Sequence, residues 1–357
     1  MGDRVVVVGC GGVGGVVAAG LVEAGHEVVG VTGNPKIAEA IEHDGLTARL
    51  YSGEERHARL VARERLSAAD GRFSVALLAV PPNAAQQACE ELLPHLLPDA
   101  PIVCFQNGLI EERLSEVVGA ERILGGIVAF GASMTGPGQV EQTSGGGFVL
   151  GRLSGEIDDA TQTVARLLEA CGEVEVTPNL RGARWSKLAI NCAISSLGTL
   201  GGDRLGALMR YRFVRRLCLE VMTEVTQVAV AEGVRLEKVS GTLDLEWLAL
   251  DDDERLLPGS PSLFAKHTVL LAVGAKYRRL RSSMLAAIER GREPPVELLN
   301  GEIARRGPKH GIPVPINAGL EQRVKALGRG DLKPSLAELR RFFDETRPTL
   351  RELKLVA

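Results

Sequence analysis

Four consecutive valines, Val5-Val6-Val7-Val8, run straight into Gly9-Cys10-Gly11-Gly12-Val13-Gly14, and a further apolar stretch occupies residues 16–24. A β-branched run without polar alternation suits a strand buried on both faces. The glycines then lie at a strand-to-helix turn, with Gly25 closing the predicted helix. In that setting each glycine of Gly9-x-Gly11-x-x-Gly14 has a mechanical purpose. The first permits a tight turn, the second lets a pyrophosphate approach the backbone, and the third lets helix and strand pack closely. The helix N-terminus adds free N–H groups and the positive end of the dipole. The pattern points to a dinucleotide held by Gly9, Cys10, Gly11, Gly12, Val13 and Gly14. The competing reading is a glycine-rich turn with no ligand.

Strand-like and helix-like segments continue to alternate. Strands are predicted over residues 27–32, 73–80 and 102–105, and helices over 35–43 and 84–97. From 122 to 151 the pattern becomes short strands with glycine turns. The second half is helical, with helices predicted over 185–200, 211–232, 262–290 and 296–310 and a boundary near 178–184. The fold class expected is α/β. An N-terminal Rossmann-type doubly wound parallel sheet (residues 1–182) precedes a C-terminal all-α domain (residues 183–357). The acid run Asp251-Asp252-Asp253-Glu254 reads as solvated surface.

Composition narrows the function classes. The 357 residues carry a formal net charge of -3, which speaks against a nucleic-acid partner. No apolar run reaches the roughly 18 to 20 residues of a membrane span, and Arg4 followed at once by a strand and turn does not read as a signal peptide. The six cysteines are scattered, with no metal-ligand spacing, so no metal site is expected. Buried reduced thiols in a cytoplasmic protein account for them. The long apolar helices can bury a homodimer interface or close a monomeric core, and no heptad pattern decides between these.

The second strand should end near Val31-Thr32-Gly33-Asn34-Pro35-Lys36, where an NAD-selective site carries Asp or Glu for the ribose hydroxyls. No carboxylate is present. Asn34 and Lys36 are candidates to accept a 2′-phosphate, favouring NADP over NAD, unless this is an ordinary turn with a solvated lysine. In the second half, Lys187, Asn191 and Ser195 lie four apart, on one face of a helix whose other residues include Leu188, Ile190 and Ile194. A buried lysine without a partner is costly, so one polar stripe on an apolar helix suggests a cleft. Lys187 capping a surface is the alternative.

Further short motifs follow in order. They are Gln106-Asn107-Gly108, Leu124-Gly125-Gly126, Pro137-Gly138-Gln139-Val140, Lys187-Leu188-x-x-Asn191, Ser282-Ser283-Met284-Leu285, Leu299-Asn300-Gly301 and Pro313-Val314-Pro315-Ile316-Asn317. With the glycine loop, their order and spacing resemble the ketopantoate reductase (2-dehydropantoate 2-reductase) family over nearly the whole chain. The resemblance implies an oxidoreductase of pantothenate biosynthesis that transfers a hydride from NADPH to a small-molecule 2-keto acid. Lys187 would be its general acid. A lysine ammonium suits that chemistry, because hydride attack builds negative charge on the carbonyl oxygen. Asn191 would position the substrate or Lys187. Asn107 would sit at the cofactor crevice, unless it forms a local Asx turn before Gly108. Ser283 would bind a substrate hydroxyl or carboxylate, unless it is a helix hydroxyl in a packed joint.

Three positions depart from the family pattern. Where the family has a glutamate, twelve residues after Ser283, this chain has Pro295, within Glu293-Pro294-Pro295-Val296-Glu297. The second asparagine of the lysine helix is Ser195, and a lysine usual after the third strand is Pro81. All three lie on the substrate side. The expectation is an NADP-dependent reductase of a 2-oxo acid or related carbonyl other than ketopantoate. An imine or opine-type reductase of the same fold, and a non-catalytic dinucleotide-binding regulatory protein, are the alternatives.

Overall fold

The structure, a computed structural model, describes residues 3–238, 243–256 and 259–355. The chain divides into two compact units, Met1–Leu180 and Arg181–Ala357.

In chain order the first unit runs β1 (Arg4–Val8), α1 (Gly12–Glu23), β2 (Glu27–Val31), α2 (Pro35–Asp44), β3 (Leu46–Arg49), β4 (Glu55–Ala58), β5 (Val61–Arg63) and β6 (Val75–Leu78). It continues with α3 (Ala85–Leu92), β7 (Ile102–Cys104), α4 (Ile110–Val118), β8 (Ile123–Val128), β9 (Ala132–Gly136), β10 (Gln139–Gln142), β11 (Phe148–Gly151), α5 (Asp159–Glu169) and β12 (Val174–Val176). Among the described residues one sheet has eight strands in the order β12-β11-β8-β7-β6-β1-β2-β5. The valine run is its centre. Val5 and Val7 join the core around α1, while Val6 and Val8 join the core around α3 and α4, so both faces of β1 are buried. The chain leaves β1 toward β2 on one side and returns to β6 on the other, which makes the doubly wound layout.

One edge departs from the all-parallel expectation. β11 pairs antiparallel with β8, Phe148 opposite Val128. No helical crossover separates these two strands, so the chain can fold back on itself. A second, four-stranded sheet in the order β4-β3-β10-β9 was not foreseen. Its strands are short and carry arginines and glutamates, which blurs the two-residue alternation. It covers the outer side of α1. A β-carbon on Gly12 would lie 2.6 Å from the Ala132 backbone, and one on Gly15 would lie 2.7 Å from Val140 Cγ1. With sheet on both sides, α1 is buried without a break from Gly14 to Leu21, as its all-round apolar sequence requires.

The second unit is helical: α6 (Leu180–Gly201, whose first residue belongs to the first unit), α7 (Leu205–Leu208), α8 (Arg212–Ala231), α9 (Leu245–Leu248), α10 (Asp252–Leu256), α11 (Pro261–Lys276), α12 (Ser283–Glu289), α13 (Asn300–Arg306), α14 (Pro315–Arg329) and α15 (Leu336–Leu355). The helix predicted over 262–290 is two helices. It breaks after Lys276 because Leu280 O accepts from Leu205 N (2.9 Å) and Ser282 caps α12 by accepting from Leu285 N. The helix predicted over 296–310 is a 3-10 turn, then α13, then another 3-10 turn, with proline at the start of each turn. The lysine helix begins at Leu180 rather than 185. The acid run is also corrected in part. Asp251, Asp252 and Asp253 are exposed, but Glu254 is buried and pairs with the buried Lys266.

Candidate active site

The glycine loop divides its labour. Gly9 has φ +101°, and a β-carbon there would lie 2.6 Å from Val80 N, so only glycine fits where β1 meets the end of β6. A β-carbon on Gly14 would lie 2.0 Å from Gly9 O. A β-carbon on Gly11, by contrast, would meet no heavy atom within 4 Å. Gly11 is also the N-cap of α1 and offers no side-chain cap to the first turn. The loop therefore presents open space in front of helix N–H groups. Cys10 contributes backbone only. Its thiol is buried toward Val7 O and Val31 O, and desolvation pushes it up to about 12. Gly12 packs on β9 as described, and Val13 packs against the core.

The other candidates of the first unit sit at the same carboxyl edge of the sheet. Asn34 caps α2, its Oδ1 accepting from Lys36 N (3.0 Å), which leaves the amide donors; both Asn34 and Lys36 are exposed. After β7, the Gln106 amide donates to Leu78 O and Val80 O (3.1 Å each), and this anchor presents the next residue, Asn107, to solvent. Gly108 takes φ +95° to turn the chain into α4.

In the second unit, Lys187, Asn191 and Ser195 are partly exposed along α6, while Trp185, Leu188, Cys192 and Ser196 are buried. Asn191 Nδ2 is shielded from solvent yet has no hydrogen-bond partner among the described residues. The C-terminal end of the stripe is tied to α12. Ser282 Oγ donates to Ser195 O (2.8 Å) and contacts Thr199 Oγ1 (2.7 Å). Ser282, not Ser283, is thus the hydroxyl in a packed joint; Ser283 is exposed beside it. Pro295 begins a 3-10 turn, Glu293 is exposed, and Glu297 is held by Lys325 at 2.5 Å.

Sequence reasoning missed what holds α6 in place. Asn300 and Asn317 are fully buried. Asn300 accepts from Ser196 Oγ and donates to Cys192 O (3.2 Å) and to Asn317 Oδ1 (2.9 Å). Asn317 Nδ2 donates in turn to Glu224 Oε2 (2.7 Å), and the same carboxylate accepts from Asn317 N (2.8 Å) and Ile316 N (2.9 Å). Burial pushes Glu224 up to about 7 against the pull of these donors. The two asparagines were visible as motifs, but their role is to lock α6, α8, α13 and α14 together. Among the described residues, no group of three His, Cys, Asp or Glu side chains could hold a metal, and no helix is long and apolar enough to cross a membrane.

Comparison with known proteins accords with this geometry. A family model described as ketopantoate reductase PanE/ApbA matches residues 5–155, and its C-terminal counterpart matches residues 179–328. The 2-dehydropantoate 2-reductase of Halobacterium salinarum is 28% identical over 91% of this chain and 99% of its own. That of Vibrio cholerae is 27% identical over 91% and 97%. The crystal structure of a PanE/ApbA family ketopantoate reductase from Ralstonia eutropha superposes with a TM-score of 0.76 at 28% identity, covering 92% of this chain and 99% of that one. D-mandelate dehydrogenase, solved with NADH and anilino(oxo)acetate, shares the fold at 20% identity and a TM-score of 0.76, covering 92% and 99%. With the two family models together taking in most of its length, this chain belongs to the ketopantoate reductase family.

Proposed function

We propose that this chain is an NADPH-dependent reductase of a 2-oxo acid or related carbonyl compound, with Lys187 as the proton donor. The observation that carries the reading is the partly exposed stripe of Lys187, Asn191 and Ser195, in which Asn191 Nδ2 is shielded from water without a partner. An unsatisfied buried donor costs about 1–3 kcal/mol, and a bound carbonyl or carboxylate oxygen would relieve that cost. The open space at Gly11 and the uncapped start of α1 fit the pyrophosphate of a dinucleotide. When bound, that cofactor supplies the hydride. Lys187 stabilises the negative charge that develops on the substrate oxygen and gives it a proton. Asn191 and Ser283 orient the substrate, and Asn107 lines the cofactor crevice. The same fold holds NADH in D-mandelate dehydrogenase. Preference for NADP therefore rests on this chain's own exposed Asn34 and Lys36, in a stretch, residues 31–36, that contains no carboxylate.

Pro295 limits the substrate. It offers no carboxylate, and Glu297 is already held by Lys325. Without that carboxylate the site loses a strong partner for a substrate hydroxyl, so the substrate in this reading differs from ketopantoate at that group. Initial rates with NADPH or NADH against ketopantoate, other 2-oxo acids and 2-oxo acid plus amine mixtures test the reading. NADPH-dependent turnover of a 2-oxo acid without a 4-hydroxyl is expected. Ketopantoate reduction at ordinary enzymatic rates would overturn the substrate assignment, and faster turnover with NADH would overturn that of Asn34 and Lys36.

A further inference from the structure

Asparagine or aspartate precedes glycine at four places in the chain: Asp44-Gly45, Asp70-Gly71, Asn107-Gly108 and Asn300-Gly301. Such pairs share one chemistry. The backbone nitrogen of the glycine can attack the side-chain carbonyl carbon of the residue before it, because glycine has no β-carbon to hinder the approach. Asparagine loses its amide nitrogen as ammonia in this step, which makes it one of the thermolabile residues.

The fold restrains three of the four pairs. Gly45 N donates to Ile41 O (2.9 Å) and Gly71 N to Ala68 O (3.3 Å), so neither nitrogen is available. The Asp70 carboxylate is held as well, accepting from Ser67 N (2.8 Å) and Arg63 Nε (3.1 Å). Asn300 is fully buried at the start of α13. Its Oδ1 accepts from Ser196 Oγ, and its amide donates to Cys192 O and Asn317 Oδ1. The side chain cannot swing toward Gly301 without breaking these bonds.

Asn107-Gly108 is the exception. Asn107 is exposed and Gly108 takes φ +95°. Among the described residues, neither the Asn107 amide nor the Gly108 N–H makes a hydrogen bond. Gly108 is buried, but the group that must reach its nitrogen belongs to the adjoining residue. The flanks are fixed. Phe105 N donates to Leu78 O (3.0 Å), the Gln106 amide is anchored on Leu78 O and Val80 O, and Leu109 and Ile110 are buried. Ring closure therefore needs rotations within Asn107 and Gly108, and no hydrogen bond of either group opposes them.

We propose that Asn107 is a site of spontaneous deamidation, which ages the protein at its cofactor crevice. Gly108 N loses its proton and bonds to Asn107 Cγ. The Cγ–Nδ2 bond breaks and ammonia leaves with a proton from water. Water then opens the five-membered succinimide at either carbonyl, leaving aspartate or isoaspartate. In sum, the asparagine and one water become an acid and ammonia, with no oxidation or reduction. The new carboxylate stands where the proposed function puts a dinucleotide, and isoaspartate also lengthens the backbone just before the turn into α4. That consequence rests on the reading of Asn107 as a crevice residue; the deamidation itself does not. A bound dinucleotide covers Asn107 in that reading, so the protein ages while empty.

Peptide mass mapping tests this on the full chain, held at physiological temperature in mildly alkaline buffer with and without NADPH. The peptide holding Asn107 should gain the mass of amide-to-acid conversion and become a substrate for a protein isoaspartyl methyltransferase. Conversion should speed up with pH, because the attacking nitrogen must lose a proton. It should run at least about tenfold faster than at Asn300, whose buried helix must open first. NADPH should slow it, and NADPH affinity should fall in step with it. Asn107→Asp should bind NADPH about tenfold more weakly than the fresh parent. Asn107→Gln, which could close only a slow six-membered ring, should hold whatever affinity it starts with. An Asn107 amide that outlasts the incubation, or converts no faster than Asn300, would overturn the inference. So would an affinity that falls equally in Asn107→Gln. Conversion at one rate with and without NADPH would uphold the modification and remove Asn107 from the crevice.

Discussion

A β-carbon on Gly14 would lie 2.0 Å from the carbonyl oxygen of Gly9, whereas one on Gly11, three residues earlier, would meet nothing within 4 Å. The two glycines therefore fail differently. Gly14→Ala must push α1 away from β1 and should cost about 3 kcal/mol of stability. Gly11→Ala should melt within about 0.5 kcal/mol of the parent yet lose at least about tenfold in NADPH affinity, because its methyl occupies the space the pyrophosphate needs. Ligand-free melting and NADPH titration on the two variants check this. A Gly11→Ala protein that binds NADPH like the parent removes the phosphate assignment.

Replacing Lys187 by Ala should lower kcat by about 10² to 10⁴ and leave the melting temperature within a degree or two, since the side chain is partly exposed. Asn191→Ala should act mainly on KM, by removing a ground-state contact. Steady-state kinetics with the substrate found as above separate the two. Unchanged kcat in the lysine variant would end its assignment as proton donor.

The Glu224–Asn317–Asn300 chain is a structural lock, so its loss should appear in stability before activity. Asn317→Leu strips a donor from the buried Glu224 carboxylate and an acceptor from the Asn300 amide. Two buried groups each left one hydrogen bond short should cost about 3 kcal/mol, read as a fall in the urea midpoint with unchanged slope. A variant as stable as the parent would show that the lock is slack.

His267 predicts a pH dependence. Burial, with Arg215, Arg212 and Arg216 adding to it, lowers its pKa from 6.5 to about 4, so the folded protein keeps the ring neutral. Its contribution is complete above pH 6.5, where the unfolded chain is neutral too, and is lost as pH falls from 6.5 toward 4, where only the unfolded chain takes up the proton. His267→Phe should flatten the decline in melting temperature over that window. Its Nδ1 has no hydrogen-bond partner among the described residues, so no bond at that atom is lost. An identical pH profile would show that other groups set the acid limit.

Much of the local geometry was legible because it is written in short spacings. The valine run, the glycine loop and the four-residue spacing of Lys187, Asn191 and Ser195 each depend on geometry that repeats within one element. The β3–β4 hairpin and α5 were not read. Charged residues fill exposed positions of the first, whereas the second carries both an apolar face, Val164, Ala165, Leu167 and Leu168, and a cap, Asp158 accepting from Thr161 N. The break between α11 and α12 was invisible for another reason. Residues 277–282 read as helix locally, and a bond from Leu205 N, far away in sequence, holds Leu280 in a turn.

The sequence alone determined that β1 is buried on both faces, that a glycine turn leads from it into α1, and that one polar stripe runs along the lysine helix. Each follows from local backbone geometry and side-chain period. Tertiary structure alone decided which polar groups are anchors and which keep an open donor. Asn300 and Asn317 look like site residues but are locked among Ser196, Cys192 and Glu224, up to 108 residues away, while Asn191, one turn from Lys187, keeps an unpartnered donor. It also turned Lys266 inward and Phe264 outward on α11. Burial and hydrogen-bond partners are set by which elements meet, and residue spacing within one element carries no record of that.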